Sequence, residues 1–465
     1  MESSPTPNTI AEPVGGPPHI FRALRHRNYR LFFFGQIISL VGTVLTQSAT
    51  GWLVRRLTNS ATMLGVVAFA SLIPAFFLGP IAGVWVDRIN RQRLIICTQI
   101  LAMLQSLALA VLAWSGRINI TEIIVLACFQ GLINAFDMPA RQAFLIEMVV
   151  DREDLSNAIA LNSTMVHTAR LIGPAAAGLL IGWLGEASCF TIDGVSYIAV
   201  ILALIAMRVV PRPPRLLQTS VLTDLKEGAV YVWSNVAIRT LLLFMALIAL
   251  TAMPALSVLM PIFGKYFGGD EVHGARYFGF LGAAAGGGAL IGALFLANRR
   301  TVLGLGRLIA IASSVAALAL IAFGWSHTLW LSLLIVPLAG WGMMTTFASA
   351  NTVLQTMADD DKRGRLMSFF AMAFMGMTPW GSLLAGYLAT RLGPGGHAGA
   401  NTIIGAGRTL RVEGLVCLFG TMAFAALLPR IRANVRPIYI RKGIIVEDIT
   451  EGLAAEAMLS EAAPE

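Results

Sequence analysis

Four ionisable residues interrupt long apolar stretches of this sequence and could carry chemistry there: Asp137, His167, Arg170 and Asp193. A charged side chain in hydrocarbon is costly, at least about 2.5–3.5 kcal/mol for an arginine at mid-bilayer, so such residues face a wet cavity or a partner. An acid whose pKa changes with its surroundings can bind and release a proton. These four residues are therefore our candidates for binding or relaying protons.

The composition places these residues in a membrane protein. The 465 residues are 56% hydrophobic and only 13% charged, with a mean hydropathy of +0.73, whereas a soluble chain carries about 25% charged residues. A helix needs about 20 apolar residues to span a bilayer, and twelve runs qualify. They are 30–54, 62–86, 94–114, 119–140, 156–184, 187–207, 240–263, 276–297, 305–325, 328–350, 366–390 and 411–429. We expect an all-α membrane protein with twelve transmembrane helices.

The polar segment 208–239 divides the twelve runs into two sets of six. Within it, apolar residues of 222–233 recur at helical spacing, which predicts an amphipathic helix lying on the membrane surface. The expected organisation is a tail (1–29), a six-helix half (30–207), a linker (208–239), a second six-helix half (240–429) and a final tail (430–465).

The Lys and Arg residues are unevenly divided between the two sides of the predicted membrane. Of the 34, 25 fall in segments on the side of both tails and 8 on the other side. Because Lys and Arg are retained on the inner side, we expect a multi-pass protein of the cell inner (plasma) membrane with both termini in the cytoplasm.

Arg170 needs water or a counter-charge at its depth. At 1.5 Å per helical residue, Arg170 lies on the order of 21 Å from the outer surface, Asp137 about 27 Å and Asp193 about 9 Å. Asp137 matches Arg170 better in depth, although Arg141 lies one turn from Asp137 and competes for it. Arg170 is therefore either half of a buried ion pair or a cation facing a wet cavity.

Small residues and a proline shape the fifth run. Ala169, Gly173 and Ala177 recur on one helical face, which suits close contact with another helix. The proline of Gly173-Pro174 is expected to bend this helix.

A short basic loop follows the second run, and Gly83 precedes its acid, Asp87, by four residues. The glycine would let another helix approach closely, and the acid would pair with a nearby arginine. Asn90 stands where a sharp turn could need a left-handed residue, and we expect the next helix to begin at Leu94. The plain alternative is a loop whose arginines only mark the cytoplasmic side.

This loop resembles the motif Gly-x-x-x-Asp-Arg-x-Gly-Arg-Arg/Lys of the major facilitator superfamily. Gly83, Asp87, Arg88 and Arg91 match, whereas Asn90 replaces a glycine. The resemblance implies two pseudo-symmetric six-helix halves that rock about a site at mid-membrane. It also implies that the loop helps to hold the outward- and inward-facing states apart.

The fifth and fourth runs extend this resemblance. The fifth is similar to the antiporter motif Gly-x8-Gly-x3-Gly-Pro-x2-Gly, with Ala160, Ala169 and Ala177 in place of three glycines. The fourth has Gln130-Gly131, but Ala127 stands where the motif has an arginine. The usual proton-coupling residue is therefore absent, and Arg170 on the adjacent helix is our hypothetical substitute.

The segment from Asp137 to Gln142, with Gly173-Pro174 and Asp193, is similar to the branch that contains enterobactin and macrolide exporters. That resemblance implies proton-driven export of a siderophore-like or drug-like molecule. Since helices one, four, seven and ten line the cavity in this superfamily, it also implies a set of cavity-lining polar residues. These are Gln36, Thr43, Gln47, Gln130, Asn134 and Thr345.

Few charges and many flexible apolar residues favour a bulky, largely apolar ligand. The second half offers almost no acid within its predicted helices, so the first half is expected to carry proton coupling. Alternatives stay open: an importer or uniporter, a non-transporting receptor or scaffold on the same fold, and an intramembrane enzyme.

Other function classes find no support in the residues. The four cysteines lie scattered inside apolar runs without metal-ligand spacing, so we expect buried thiols rather than disulfides. No phosphate-binding loop or nucleophile motif is present, and we expect no enzyme activity, cofactor or metal. The net charge of +9 comes from loop arginines rather than a nucleic-acid site. The expected partners are a small-molecule substrate, protons and the lipid bilayer, and the chain is expected to be monomeric.

Overall fold

The computed structural model describes residues 21–86, 88–149, 152–208, 221–299, 301–359, 362–394 and 402–442. These ranges form a 3-10 turn, Arg22–Arg25, and fifteen α-helices without a strand. The helices are α1 (Arg27–Thr58), α2 (Ala61–Val86), α3 (Arg91–Trp114), α4 (Ile120–Met148), α5 (Arg152–Leu184), α6 (Glu186–Ala206), α7 (Val221–Ser234), α8 (Val236–Leu250), α9 (Ala252–Gly268), α10 (Glu271–Ala297), α11 (Leu305–Phe323), α12 (Leu329–Met357), α13 (Arg363–Met375), α14 (Thr378–Arg391) and α15 (Thr402–Arg441).

Twelve spans in the described part of the chain are long and apolar enough to cross a membrane. Ten are single helices, and the other two are made by α8 with α9 and by α13 with α14. The predicted all-α membrane fold is confirmed. Between the sixth and seventh spans, α7 forms where the linker pattern predicted a helix, and it packs against α13.

Two spans are interrupted where prolines begin a new helix. The seventh breaks at Thr251, and Pro254 lies in the first turn of α9, where its missing N–H costs no helical hydrogen bond. The eleventh breaks before α14, whose first turn holds Pro379. By contrast, α5 continues without a break through Gly173 and Pro174.

The turn between α2 and α3 differs from our expectation. The Asn90 side chain accepts a hydrogen bond from the Arg93 backbone N–H at 3.0 Å, and Asn90 has φ −65°. The prediction of a left-handed residue was wrong, because Asn90 is the N-cap of α3, a position that favours extended backbone and a side-chain acceptor. The helix consequently begins at Arg91 rather than Leu94. Asp87 lies outside the described residues.

The two six-helix halves meet mainly through α5 with α10 and α2 with α14. We call the end of the bundle where α1 begins and α15 finishes the terminal end, and the opposite end the far end. Towards the far end these helices touch backbone to backbone. A Cβ at Gly178 would lie 2.8 Å from the Gly279 Cα, and one at Gly65 would lie 3.2 Å from the Gly386 Cα.

Towards the terminal end the same helices part. Nothing lies within 4 Å of a Cβ built on Gly79 or Gly83 of α2, and on α10 Ile291 and Leu294 are 60% and 61% exposed. The structure is therefore closed at the far end and open at the terminal end, with a space between the halves.

Candidate functional site

Arg170 lies at the level where the halves part. Its backbone carbonyl contacts Gly286 of α10, while Gly173, three residues on, faces Val44 of α1, and Pro174 faces α10. The Arg170 side chain projects between these two faces of α5 and is exposed. Among the described residues, no hydrogen bond or ion pair joins it to a carboxylate. The guanidinium is therefore exposed in the space between the halves, and at membrane depth such a group requires water or a counter-charge there.

His167 lies one turn before Arg170 on the same side of α5 and is half-buried. This part of the helix extends beyond the tight contact with α10, and Ser163 and Thr164 are exposed there. These polar residues of α5 thus line the opening between the halves.

Asp137 has strong partners on its own half. Its Oδ1 accepts hydrogen bonds from the Thr98 hydroxyl at 2.7 Å and the Gln99 amide at 3.0 Å, and its Oδ2 accepts from Arg141 Nε at 2.5 Å. Of the two cations considered from the sequence, Arg141 rather than Arg170 holds this carboxylate. Three donors, one of them charged, favour a structural role for Asp137.

Asp193 has a different environment, with no cation bound to it in the described structure. It is 2% exposed on α6 and faces α1, where a Cβ on Gly42 would lie 2.7 Å from Asp193 Oδ1. Its Oδ2 accepts a hydrogen bond from the Ser106 hydroxyl at 3.0 Å, whereas Oδ1 has no partner there. A buried carboxyl with one hydroxyl donor and no cation is suited to being neutral.

The cavity-lining residues predicted on α1 lie only partly along the central space. Gln36 is buried, and Thr43 is half-buried with its hydroxyl 3.4 Å from that of Tyr197 on α6. Only Gln47, nearest the far end, is exposed. Along α1, these residues thus change from packing on α6 to being exposed as the helix approaches the far end.

The other predicted cavity residues also differ in setting. On α4, Gln130 donates its side-chain amide to Asn134 Oδ1 at 3.1 Å, and both residues are half-buried. Thr345 of α12 is fully buried against Gly292 of α10, and its hydroxyl has no partner in the described structure. Thr345 therefore lies in the interface between two helices of the second half.

The loop motif is only partly engaged in this conformation. Arg91 forms an ion pair with Glu147 of α4, within the first half. Arg88 is exposed. Among the described residues, nothing lies within 4 Å of a Cβ built on Gly83, which is near the terminal end, where the halves are apart.

Sequence reasoning missed a cluster that joins the halves at the far end. The Arg55 side chain, 5% exposed, pairs with Glu271 of α10, and Lys265 Nζ lies 3.1 Å from the same carboxylate. The Arg55 guanidinium lies 4.1 Å from the centre of the Trp52 ring, which in turn stacks on Phe278. We call these five residues the far-end cluster. The sequence offered one signal for this cluster: Arg55 follows the first predicted run, and the oppositely charged Glu271 precedes the eighth.

A buried acid in the second half was also missed. Glu413 of α15 is 1% exposed, and neither carboxyl oxygen has a partner in the described part of the chain. The expectation of almost no acid within the second half's helices passed over Glu413, which lies three turns inside α15 because that helix begins at Thr402.

The thiols were predicted only in part. The four cysteines form no disulfide, and Cys189 and Cys417 are buried as expected. The prediction that all four are buried was wrong, since Cys97 and Cys128 are exposed.

The chain is similar along most of its length to curated transporters. It is 28% identical over 416 residues to the multidrug efflux pump Tap of Mycolicibacterium fortuitum, covering 86% of this chain and 96% of that protein. It is 26% identical to the staphyloferrin A transporter of Staphylococcus aureus (85% and 95% covered) and 24% identical to macrolide efflux protein A of Streptococcus pyogenes (79% and 92%).

Solved structures share the fold at low identity. A bacterial homologue of the human lysosomal transporter Spinster superposes with a TM-score of 0.68 at 15% identity, covering 91% of this chain and 99% of that one. The nucleoside transporter NupG gives a TM-score of 0.65 at 12% identity, with 86% and 99% covered.

Residues 19–426 match the family described as "Transmembrane secretion effector". That match covers most of the chain and agrees with the twelve spans and the efflux relatives. The protein is a transporter rather than an enzyme and a multi-pass plasma-membrane protein. The chain belongs to the transmembrane secretion effector family, within the exporter branch of the major facilitator superfamily.

Proposed function

We propose that this protein exports a drug-like or siderophore-like molecule in exchange for protons by alternating access. The observation that carries the proposal is the asymmetric contact of the halves, closed at the far end and open at the terminal end around a space that Arg170 faces. Relatives named for drug efflux and for a siderophore support this substrate class.

The two ends of the bundle would exchange roles during transport. We place the terminal end in the cytoplasm, as the distribution of Lys and Arg indicates. The present conformation would then admit substrate from the inside. Closing the terminal end would bring the second half towards the empty surface beside Gly83, and the far-end cluster would separate.

Arg170 and Asp193 have complementary properties for coupling this movement to protons. Arg170 supplies a fixed positive charge in the central space. Asp193 is buried between α6, α1 and α3 without a cation, so its protonation state would follow any change in the packing of these helices. Asp137 would keep α3 and α4 together through its hydrogen bonds with Thr98 and Gln99 of α3.

The test is efflux of a macrolide, an apolar fluorescent dye and a siderophore from cells that express the protein, with and without a protonophore. We expect gradient-dependent efflux that is lost in Asp193→Asn and in Arg170→Ala. Glu122→Gln is the matched control, because it neutralises an acid of the same half that closes the capping box of α4, and glutamine preserves that box.

Each outcome distinguishes a part of the proposal. Efflux that survives both the protonophore and Asp193→Asn would refute proton exchange. Substrate uptake in place of efflux would refute the direction. Equal loss of efflux in Glu122→Gln would show that charge removal, rather than the identity of the site, causes the effect.

A further inference from the structure

Glu413 is an acid buried in the middle of the last span, and no group in the described structure compensates a negative charge on it. It is 1% exposed, and neither Oε1 nor Oε2 has a hydrogen-bond partner in the described part of the chain. Eleven residues separate it from Thr402, the first residue of α15, which places it about 16 Å inside the helix. An ionised carboxylate there would bear the full cost of desolvation.

Among the described residues, the helices around α15 bring no cation to Glu413. α15 packs mainly on α8, α9, α11 and α14, and in the described structure no hydrogen bond or ion pair joins their charged or titratable groups to Glu413. Arg411, its nearest cation in sequence, donates instead to the Gly407 carbonyl and lies over the Trp325 ring. The remaining such groups are Arg239 on α8, Lys265 and Tyr266 on α9, Arg307 on α11, Tyr387 and Arg391 on α14, and Arg408, Cys417, Arg430, Arg432, Arg436, Tyr439 and Arg441 on α15.

The position of Glu413 is also close to the break in the seventh span. Gly420, two turns from Glu413 on the same face of α15, packs on Leu247 of α8. Seven residues of antiparallel helix lead from that contact to the level of Pro254, in the first turn of α9 and just beyond the break at Thr251. A helix break is a place where a half can flex, so movement of α9 against α8 would change the surroundings of this carboxyl.

The first half carries a comparable group. Asp193 lies on α6, the last span of its half, and is 2% exposed with one oxygen unpartnered in the described structure. α6 packs on α1 and α3, as α15 packs on α8 and α11. Each half thus holds, on a final span that packs on the first and third spans of that half, a buried acid that no cation holds in the described structure.

We propose that Glu413 is the proton-binding residue of the second half and is protonated in the present conformation. This inference rests on the proposed proton exchange. When the break between α8 and α9 opens to water, the carboxylic acid O–H releases its proton to water and leaves a carboxylate. Burial in the conformation described here requires that proton to be bound again.

Two measurements test protonation in purified full-length protein at neutral pH. The infrared carbonyl band of protonated carboxylic acids is expected to lose the contribution of Glu413 in the variant Glu413→Gln. The variant Asp193→Asn identifies the contribution of Asp193, the buried acid of the first half, to the same band. Dicyclohexylcarbodiimide is expected to modify Glu413 of the unaltered protein. The acid's proton goes to a carbodiimide nitrogen, the carboxylate oxygen bonds to the central carbon, and rearrangement gives a stable N-acylurea, which peptide mass spectrometry locates.

A transport measurement then tests the role in coupling. In proteoliposomes, Glu413→Gln is expected to lose accumulation of the macrolide or dye driven by a pH gradient but to keep exchange of labelled for unlabelled molecule without a gradient. Glu413→Asp, which restores a carboxyl, is expected to recover part of the driven accumulation. A merely structural glutamate would affect both kinds of transport alike.

Several results would overturn the proposal. They are an unchanged infrared band in Glu413→Gln, absence of the N-acylurea at Glu413, normal driven accumulation in Glu413→Gln, and equal loss of exchange and accumulation in a folded variant. If the unaltered protein itself shows no gradient-driven transport, the proposed function fails as a whole, while the infrared and carbodiimide results still report the protonation of Glu413.

Discussion

One methyl group at the contact between α5 and α10 should open the far end. A Cβ on Gly279 would lie 2.5 Å from the Pro174 carbonyl oxygen and 2.8 Å from the Gly178 Cα. Both are backbone atoms that cannot rotate away, so the two helices must separate. A Cβ on Gly287 of the same helix would meet only Leu171 Cδ1, at 3.4 Å. Gly279→Ala and Gly287→Ala are therefore a matched pair.

The difference between these variants isolates the cost of the contact. Both replace glycine by alanine inside α10, which by itself stabilises a helix by about 0.5–1 kcal/mol. Overpacking a tight contact costs about 1–3 kcal/mol. That cost falls on the closed far end and should lower its population by about 5- to 150-fold relative to Gly287→Ala.

Disulfide formation between Thr62→Cys and Thr390→Cys measures far-end closure at the other contact of the halves. The two threonine hydroxyls lie 2.8 Å apart across α2 and α14. The exposed Cys97 and Cys128 are replaced by serine so that they do not compete. We expect the cross-link to form less in Gly279→Ala and normally in Gly287→Ala. Equal cross-link yields in Gly279→Ala and Gly287→Ala would refute the view that the two halves move as units about the backbone contact between α5 and α10.

Three further changes test local features. Glu271→Gln removes the carboxylate that holds the buried Arg55, a charge-assisted bond of about 1.5–3 kcal/mol, and should lower the yield of the same cross-link. Asp137→Asn leaves its guanidinium partner without a counter-charge and should lower the thermal unfolding midpoint in detergent, by an amount equivalent to about 1–3 kcal/mol. A hydrogen bond from the His273 backbone N–H holds the pKa of Asp270 below its ordinary value, so this acid stabilises the fold above its unfolded pKa of about 3.9. That contribution is lost as pH falls through the lower folded pKa, and unfolding midpoints across an acid titration should show a smaller decline in Asp270→Asn.

Each of these changes has a control or a contradicting result. Asp270→Asn adjoins Glu271 and keeps a good N-cap for α10, so it should leave the cross-link unchanged. An unaltered midpoint in Asp137→Asn would show that its three hydrogen bonds contribute nothing net. An identical acid decline with and without Asp270 would assign that decline to other carboxyls.

The helices were predictable because one physical quantity, the length of an apolar run, sets them. The interruption at Pro379 follows from a missing N–H, which prevents a proline from continuing the hydrogen bonding of a helix. The N-cap role of Asn90 was misassigned because asparagine suits both a left-handed turn and a helix start, and only the direction of the chain into α3 decides between them.

The partners of buried charges were harder to predict because depth along a helix leaves rotation undetermined. Arg170 and Asp137 were matched by depth, but Arg141 lies one turn from Asp137 on the same face of α4 and reaches it first. Arg170 instead projects between the faces of α5 that contact α1 and α10. Contacts between halves depend in addition on the conformation, which explains why Gly83 has no helix beside it here.

Glu413 shows how the assignment of a helix end changes a functional conclusion. Bounding the last run at Arg411 put this acid within one turn of the membrane surface, where it would be solvated. In the structure Arg411 lies inside α15. Its guanidinium can be placed there because it donates a hydrogen bond to the Gly407 carbonyl and lies over the Trp325 ring. Moving the start of the helix to Thr402 shifts Glu413 to about 16 Å from that start. Glu413 is then a buried acid on the last span of the second half, as Asp193 is on the last span of the first half. Proton binding must therefore be sought in both halves rather than in the first alone.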